Sequence, residues 1–166
     1  VYNTAGVTVE NLVFVGSGIG QNNSDGIIFY NTLAQNAKLA NVVLRNLKVS
    51  GFGKGGIVVY GQGVDGTKSG YRNVLIEYSE VFDNADVGVM VGGTYSTSIP
   101  GYANEDVVIR HVQAYRNPGI ANKGGHSGSG ILLGNSKNGL IEYCRAWENG
   151  TNNNYSGGGP VGIWTW

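Results

Sequence analysis

The chain has few of the residues that crosslink small domains covalently or through metals. Its 166 residues include one cysteine, two histidines and three prolines. The single cysteine, Cys144, excludes an intrachain disulfide scaffold and a zinc cluster built on cysteine pairs. Because no resolving cysteine accompanies it, we predict an inert thiol, either packed or at the surface. The stability of the domain must therefore come from packing.

Charge of one sign and long hydrophobic runs are also missing. The 11 basic and 11 acidic residues give a formal net charge of zero, and no basic cluster is longer than a pair. We therefore expect neither nucleic acid nor a membrane surface as a partner. No apolar run could cross a bilayer, and the first residues lack the features of a signal peptide. We expect a mature piece or a fragment of a longer protein.

Glycine, with 29 residues, is abundant, and two short phrases each recur five times. The first phrase lies at 7–11, 42–46, 74–78, 107–111 and 139–143, and the second at 26–27, 56–57, 88–89, 130–131 and 162–163. The central apolar residues of the first phrase are 35, 32, 33 and 32 residues apart; they are Val9, Leu44, Ile76, Ile109 and Ile141. A period of this length is typical of stacked-repeat proteins.

Within each phrase apolar residues alternate with others at period two, which predicts half-buried strands. A third inward position follows the first phrase, at Phe14, Val49, Val81, Ala114 and Ala146. We therefore predict three short strands per turn, separated by bends, with copies of each strand stacked as a parallel sheet. Asn84, Asn117 and Asn149 occupy matched bends, where asparagine tolerates positive φ and can bond along its own ladder.

These residues resemble the right-handed parallel β-helix repeat proteins of the pectate-lyase-like superfamily. The resemblance is to the pattern Val-x-Ile-x-(Asn/Tyr/His), followed by Asn or Gly and then Gly-Ile-x-(Leu/Val), and it spans nearly the whole chain. It implies an all-β fold, a right-handed parallel β-helix of about five coils in one domain, 1–166, that is part of a longer helix. It also implies a secreted or cell-surface protein that binds or processes polysaccharide, by fold analogy alone.

Two polar ladders are predicted beside the first phrase. Glutamate and arginine alternate from coil to coil, at Glu10, Arg45, Glu77, Arg110 and Glu142. We interpret them as structural ion pairs, because an arginine between carboxylates lowers their pKa values and opposes general-acid work. The neighbouring ladder places His111 between two tyrosines, Tyr78 and Tyr143, where a packed ring is favoured over a catalyst.

The outward side of the second phrase is apolar and aromatic, and it carries no charged residue. Its two files are Ile28, Val58, Met90, Leu132, Trp164 and Tyr30, Tyr60, Gly92, Gly134, Trp166. Three explanations stay open: a sugar-stacking platform, a surface covered by the long insertions, or a subunit contact. On the first of these, the substrate-binding residues are Tyr30, Tyr60, Trp164 and Trp166.

Polar residues precede the second phrase and would border that face. The candidate catalytic residues are Asp25, Asp86, His126 and Lys54, although turn chemistry is the favoured interpretation of the two aspartates. Enzymes of this kind often use calcium, but no Asp-x-Asp-x-Asp loop or other dense cluster of oxygen ligands supports a metal site here. The cofactor and the oligomeric state stay open.

The sequence thus favours an extracellular protein that binds or processes polysaccharide, with lyase or glycoside hydrolase chemistry at the rim. The alternative is a non-enzymatic surface, adhesin or tailspike-like module whose apolar face is buried between chains. A convergence of Asp25, Asp86 or His126 on an exposed aromatic face would favour the first of these.

Overall fold

The computed structural model describes residues 1–166 and contains eleven strands. They are β1 (Val7–Val15), β2 (Ile27–Asn31), β3 (Lys38–Ser50), β4 (Ile57–Gly61), β5 (Gly70–Phe82), β6 (Val87–Gly93), β7 (Asn104–Tyr115), β8 (Ser129–Leu133), β9 (Ser136–Glu142), β10 (Arg145–Trp147) and β11 (Ile163–Thr165). No helix is present, and hence none that could span a membrane.

The strands form two parallel sheets that run along one axis. The six-stranded sheet has the order β1-β3-β5-β7-β10, with β9 also paired to β7, and the five-stranded sheet has the order β11-β8-β6-β4-β2. Each turn of the chain contributes to both sheets, and each strand pairs with its counterpart one turn away. The predicted all-β parallel β-helix of about five turns is confirmed.

The predicted apolar ladders are also confirmed residue by residue. Val9 pairs with Leu44, Leu44 with Ile76, Ile76 with Ile109, and Ile109 with Ile141. The second phrase stacks in the same way, from Ile27 through to Ile163. In the middle turns these residues have no solvent exposure, because each turn covers the apolar side chains of the next.

The predicted division into three short strands per turn needs correction. The strands β3, β5 and β7 each carry both the first phrase and the third inward position without a multi-residue bend. They turn a corner at one residue in the left-handed region, as at Asn46 (φ 52°), Tyr78 (φ 49°) and His111 (φ 51°). One residue of positive φ redirects the chain while its neighbours keep their ladder hydrogen bonds.

The corner brings a further inward file into the core, which the alternation pattern did not predict. This file includes Leu47, Ser79 and Val112, all buried, and Cys144 occupies its place in the fifth turn. The Cys144 thiol donates to the Glu142 carbonyl (3.3 Å), and burial raises the pKa of this thiol. Both observations agree with an unreactive packed cysteine.

The prediction for the asparagine ladder is confirmed for its side-chain hydrogen bonds and wrong for its backbone conformation. Asn84 and Asn117 are fully buried, and the Asn84 amide donates to Asn117 Oδ1 (3.2 Å), as the Asn117 amide does to Asn149 Oδ1 (2.9 Å). The positive φ, however, belongs to the residue before each of them; these residues are Asp83, Arg116 and Glu148. The asparagine side chain therefore hydrogen-bonds within the bend, while the residue before it supplies the positive φ that turns the chain.

The outer ladders follow the predicted register. Glu10 pairs with Arg45, and Glu77 with Arg110 at 2.7 Å, as separate pairs rather than a continuous file. The His111 ring is stacked between Tyr78 (4.7 Å) and Tyr143 (5.0 Å), as expected for a packing role.

Candidate functional site

The candidate site is the outward face of the five-stranded sheet, which we call the outer strip. It consists of the two files named above, and the pairing of β2, β4, β6, β8 and β11 places them in register. Leu132 and Val58 are nearly covered, at 1% and 8% exposure, whereas Trp164 and Trp166 are 36% and 40% exposed. Tyr30 and Tyr60 are half-buried. Burial therefore varies along both files, and the strip is most open at the two tryptophans.

Glycines on the strip leave room for the aromatic rings. A side chain at Gly134 would overlap three atoms of the Trp166 indole, so the indole occupies the space that a side chain would fill. At Gly92, by contrast, a side chain would be in ordinary van der Waals contact with the Tyr60 ring, at 3.4 Å. The inner part of the Trp166 ring therefore rests on the strand. An aromatic ring packed on a sheet in this way suits stacking against the apolar face of a sugar.

The insertion 118–129 reaches the end of the strip that carries Trp164 and Trp166. The His126 ring lies 3.9 Å from the Trp164 ring and 5.9 Å from the Trp166 ring, measured between centroids. The neighbouring insertion, 150–161, supports it, because the Asn153 amide donates to the Ser127 carbonyl (2.6 Å). His126 thus borders the aromatic end of the strip, and the insertion covers part of that end.

Charged groups gather along the rim where the strands of this sheet begin. Lys123 forms an ion pair with Asp86 (2.6 Å), and the Gly55 N–H donates to Asp25 Oδ1 (2.8 Å). Burial raises the pKa of the Asp25 carboxyl, and Asp86 raises it further, whereas the Gly55 hydrogen bond and Lys54 lower it. The two aspartates therefore lie close enough to interact, in different environments.

The predicted catalytic residues do not form one cluster. Asp25, Asp86 and Lys54 share the rim, but Lys54 is exposed and has no ion-pair partner. His126 packs on the tryptophans instead. No group of three or more His, Cys, Asp or Glu side chains is placed to hold a metal ion.

Two features of the opposite rim escaped the sequence analysis. Tyr30 donates to Gln62 Oε1 (2.7 Å), which holds one ring of the strip in place. Lys68, from the insertion 61–71, is only 6% exposed, and a lysine in a variable insertion carries no signal that predicts its burial.

No protein-family model, curated protein or solved structure matches the chain. The structure shows a parallel β-helix, and no comparison assigns the chain to the pectate-lyase-like superfamily.

Proposed function

We propose that the protein binds polysaccharide along the outer strip, with the chain of sugar rings contacting the aromatic file. The observation that carries this proposal is the aromatic file of the strip, in which the Trp166 indole packs over Gly134 and in which Tyr30 and Tyr60 are half-buried. Tyr30 and Tyr60 continue the aromatic file further along the strip, with their ring centroids 6.0 Å apart. Rings spaced along the strip could contact successive sugars of an extended glycan.

The surroundings of the strip also suit a glycan. Sugars need apolar surface for their ring faces and hydrogen-bonding groups for their hydroxyls. The aromatic file supplies the first, and Asp25, Asp86, Lys123 and Gln62 supply the second at its two rims. We place this activity at the cell surface or outside the cell, where such polymers occur.

The proposal predicts that Trp166→Ala weakens glycan binding. The wild type is titrated against pectins, alginates, xylans and host glycans by calorimetry. Loss of one stacking ring should lower the affinity for the bound glycan about tenfold, since aromatic contacts contribute about 0.5–1.5 kcal/mol beyond buried area.

Trp147→Ala is the matched control. Trp147 is 38% exposed and stacks on Tyr115 (4.3 Å), so it is an exposed tryptophan in a ring ladder away from the strip. Equal losses in the two variants, or no glycan bound by the wild type, would overturn the proposal. Concentration-dependent association that Trp166→Ala abolishes would favour the subunit-contact alternative.

Glycoside hydrolysis is a second candidate, and the Asp25–Asp86 pair favours it. Hydrolases need one carboxylic acid that stays protonated and one carboxylate, in environments that separate their pKa values. Burial raises the pKa of Asp25, while Asp86 forms an ion pair with Lys123. Asp25 would then protonate the leaving oxygen and Asp86 would activate water. An assay of the same panel for new reducing ends tests this candidate, and the absence of new reducing ends from every bound glycan rejects it. Unsaturated products would indicate a lyase instead.

A further inference from the structure

The Lys68 ammonium is a buried cation without a counter-charge. Its Nζ donates to the carbonyl oxygens of Ser96 and Gly101, both at 2.9 Å, and the residue is 6% exposed. None of the five ion pairs of the chain includes Lys68. A buried charge is costly unless it is paired, so the missing partner calls for an explanation.

The ammonium also has hydrogen-bonding capacity to spare. A lysine ammonium has three N–H donors, and two of them are used here. Lys68 lines a cavity of about 120 Å³, whose other walls include Tyr95, Tyr102, Asn135 and Trp166. An acceptor for the third N–H would fit in this cavity.

The composition of the cavity wall selects the charge of its occupant. No Asp or Glu lines the cavity, and Lys68 is the one charged residue among the seven that do. Asn135 is already engaged, because its Oδ1 accepts from the Ala103 N–H (3.0 Å) and its amide donates to the Thr94 carbonyl. A small group that only accepts hydrogen bonds and carries negative charge satisfies the site best.

We propose that this cavity is a binding site for a carboxylate, with Lys68 as its counter-charge. The carboxylate can belong to a free small acid or to a glycan on the outer strip, because Trp166 belongs to both surfaces. The site stands independently of the proposed function, since a free acid needs only the cavity.

The test is thermal unfolding of the full chain in sodium acetate against sodium chloride at equal ionic strength. The wild type should gain about 5–10 °C at a hundredfold excess of acetate over its dissociation constant. Lys68→Met should abolish this gain. Lys48→Met is the control and should keep it, because Lys48 is an exposed lysine that pairs with Glu80 and does not line the cavity.

A second variant covers the case in which Lys68→Met does not fold. Ser96→Glu places a carboxylate on the cavity wall, and it should remove the acetate effect by supplying the counter-charge internally. No gain in the wild type, or an equal gain in Ser96→Glu or in a folded Lys68→Met, would overturn the site and leave only a general salt effect.

A glycan arm distinguishes the two sources of the carboxylate. A neutral xylan fragment and its glucuronic-acid-bearing counterpart are titrated into the wild type and Lys68→Met, or Ser96→Glu if the former does not fold. A Lys68-dependent preference for the acidic fragment assigns the carboxylate to the glycan, and an acetate effect without that preference assigns it to a free acid. Glycan binding without any acetate effect or preference would refute the carboxylate site and keep the proposed function. An acetate effect without glycan binding would keep the carboxylate site and refute the proposed function.

Discussion

At the scale of single residues, the pKa values of two aspartates in turns are shifted in opposite directions. Burial raises the pKa of Asp25, whereas Asp65 is exposed and its pKa is lowered by the Thr67 hydroxyl (2.5 Å) and the Gln35 N–H (2.9 Å). Both residues look alike in the sequence. The difference comes from what surrounds each carboxyl: apolar packing disfavours the charge on one, and donors favour it on the other.

This contrast predicts opposite pH dependences for Asp25→Asn and Asp65→Asn. A raised folded-state pKa means that the contribution of Asp25 to stability is complete below its ordinary pKa of 3.8 and is lost as pH rises through the folded-state value. The free energy of unfolding of the wild type minus that of Asp25→Asn should therefore fall as pH rises from about 3 to about 7.

Asp65→Asn supplies the internal comparison. Its lowered folded-state pKa makes its contribution complete above the ordinary value of 3.8 and lost as pH falls through the folded-state value. The corresponding difference should rise with pH in urea unfolding over the same range. A flat difference for Asp25→Asn would show that its carboxyl is solvated, and that it is no candidate general acid.

At the scale of elements, buried asparagines hold the bends that follow β5 and β7. The buried Asn117 amide donates to the carbonyls of Val81 (3.3 Å) and Tyr115 (3.2 Å) as well as to Asn149, and its Oδ1 accepts from the Asn84 N–H (3.1 Å). The backbone N–H and C=O groups of a bend cannot all be satisfied by the hydrogen bonds of the sheet. The asparagine ladder satisfies them, and it joins three turns.

Asn117→Asp should therefore destabilise the protein by at least about 2 kcal/mol at neutral pH. The substitution keeps the shape and the acceptor, but it removes the donors to Val81, Tyr115 and Asn149 and buries a carboxylate. Asn152→Ala is the control, because Asn152 is exposed and its side chain makes no hydrogen bond; its effect should stay within about 0.5 kcal/mol. Chemical denaturation measures both. Similarly small losses of stability in the two variants would mean that the hydrogen bonds of the asparagine ladder contribute little to the free energy of unfolding.

At the scale of the whole molecule, stability depends on contacts between neighbouring turns. The central turns bury their apolar ladders completely, with Leu44, Ile76 and Ile109 at 0% exposure, while Val9 and Ile141 in the outer turns are only partly buried. A single turn has no core of its own. Each turn is stable only because the next one covers it, as in other solenoids.

A charge in this inner apolar ladder should therefore destabilise the whole chain. Ile76→Asp should prevent folding or cost several kcal/mol, because it buries a carboxylate with no partner between two apolar turns. Leu75→Asp, one residue away on the outward side, should cost much less. The midpoint of thermal unfolding followed by circular dichroism measures both. An unchanged midpoint for Ile76→Asp would mean that the assigned register is wrong.

The sequence alone determined the stacking of the turns. Val9, Leu44, Ile76, Ile109 and Ile141 recur at a near-constant period because every turn must present the same face to the next, so their register follows from counting residues along the chain. The alternation also placed the aromatic file of the outer strip correctly. It missed the one-residue corners, because a tyrosine or histidine at positive φ carries no local signal.

Only the tertiary structure decided the chemistry at the rims. The packing of Trp166 on Gly134 depends on the side chains that one file brings together, and the pairing of Lys123 with Asp86 and the burial of Lys68 depend on insertions that have no period. Their side chains come together through contacts between residues about 30 positions apart or more, across neighbouring turns. A repeat specifies such a scaffold because each copy solves the same packing problem, whereas a site is formed where the copies differ.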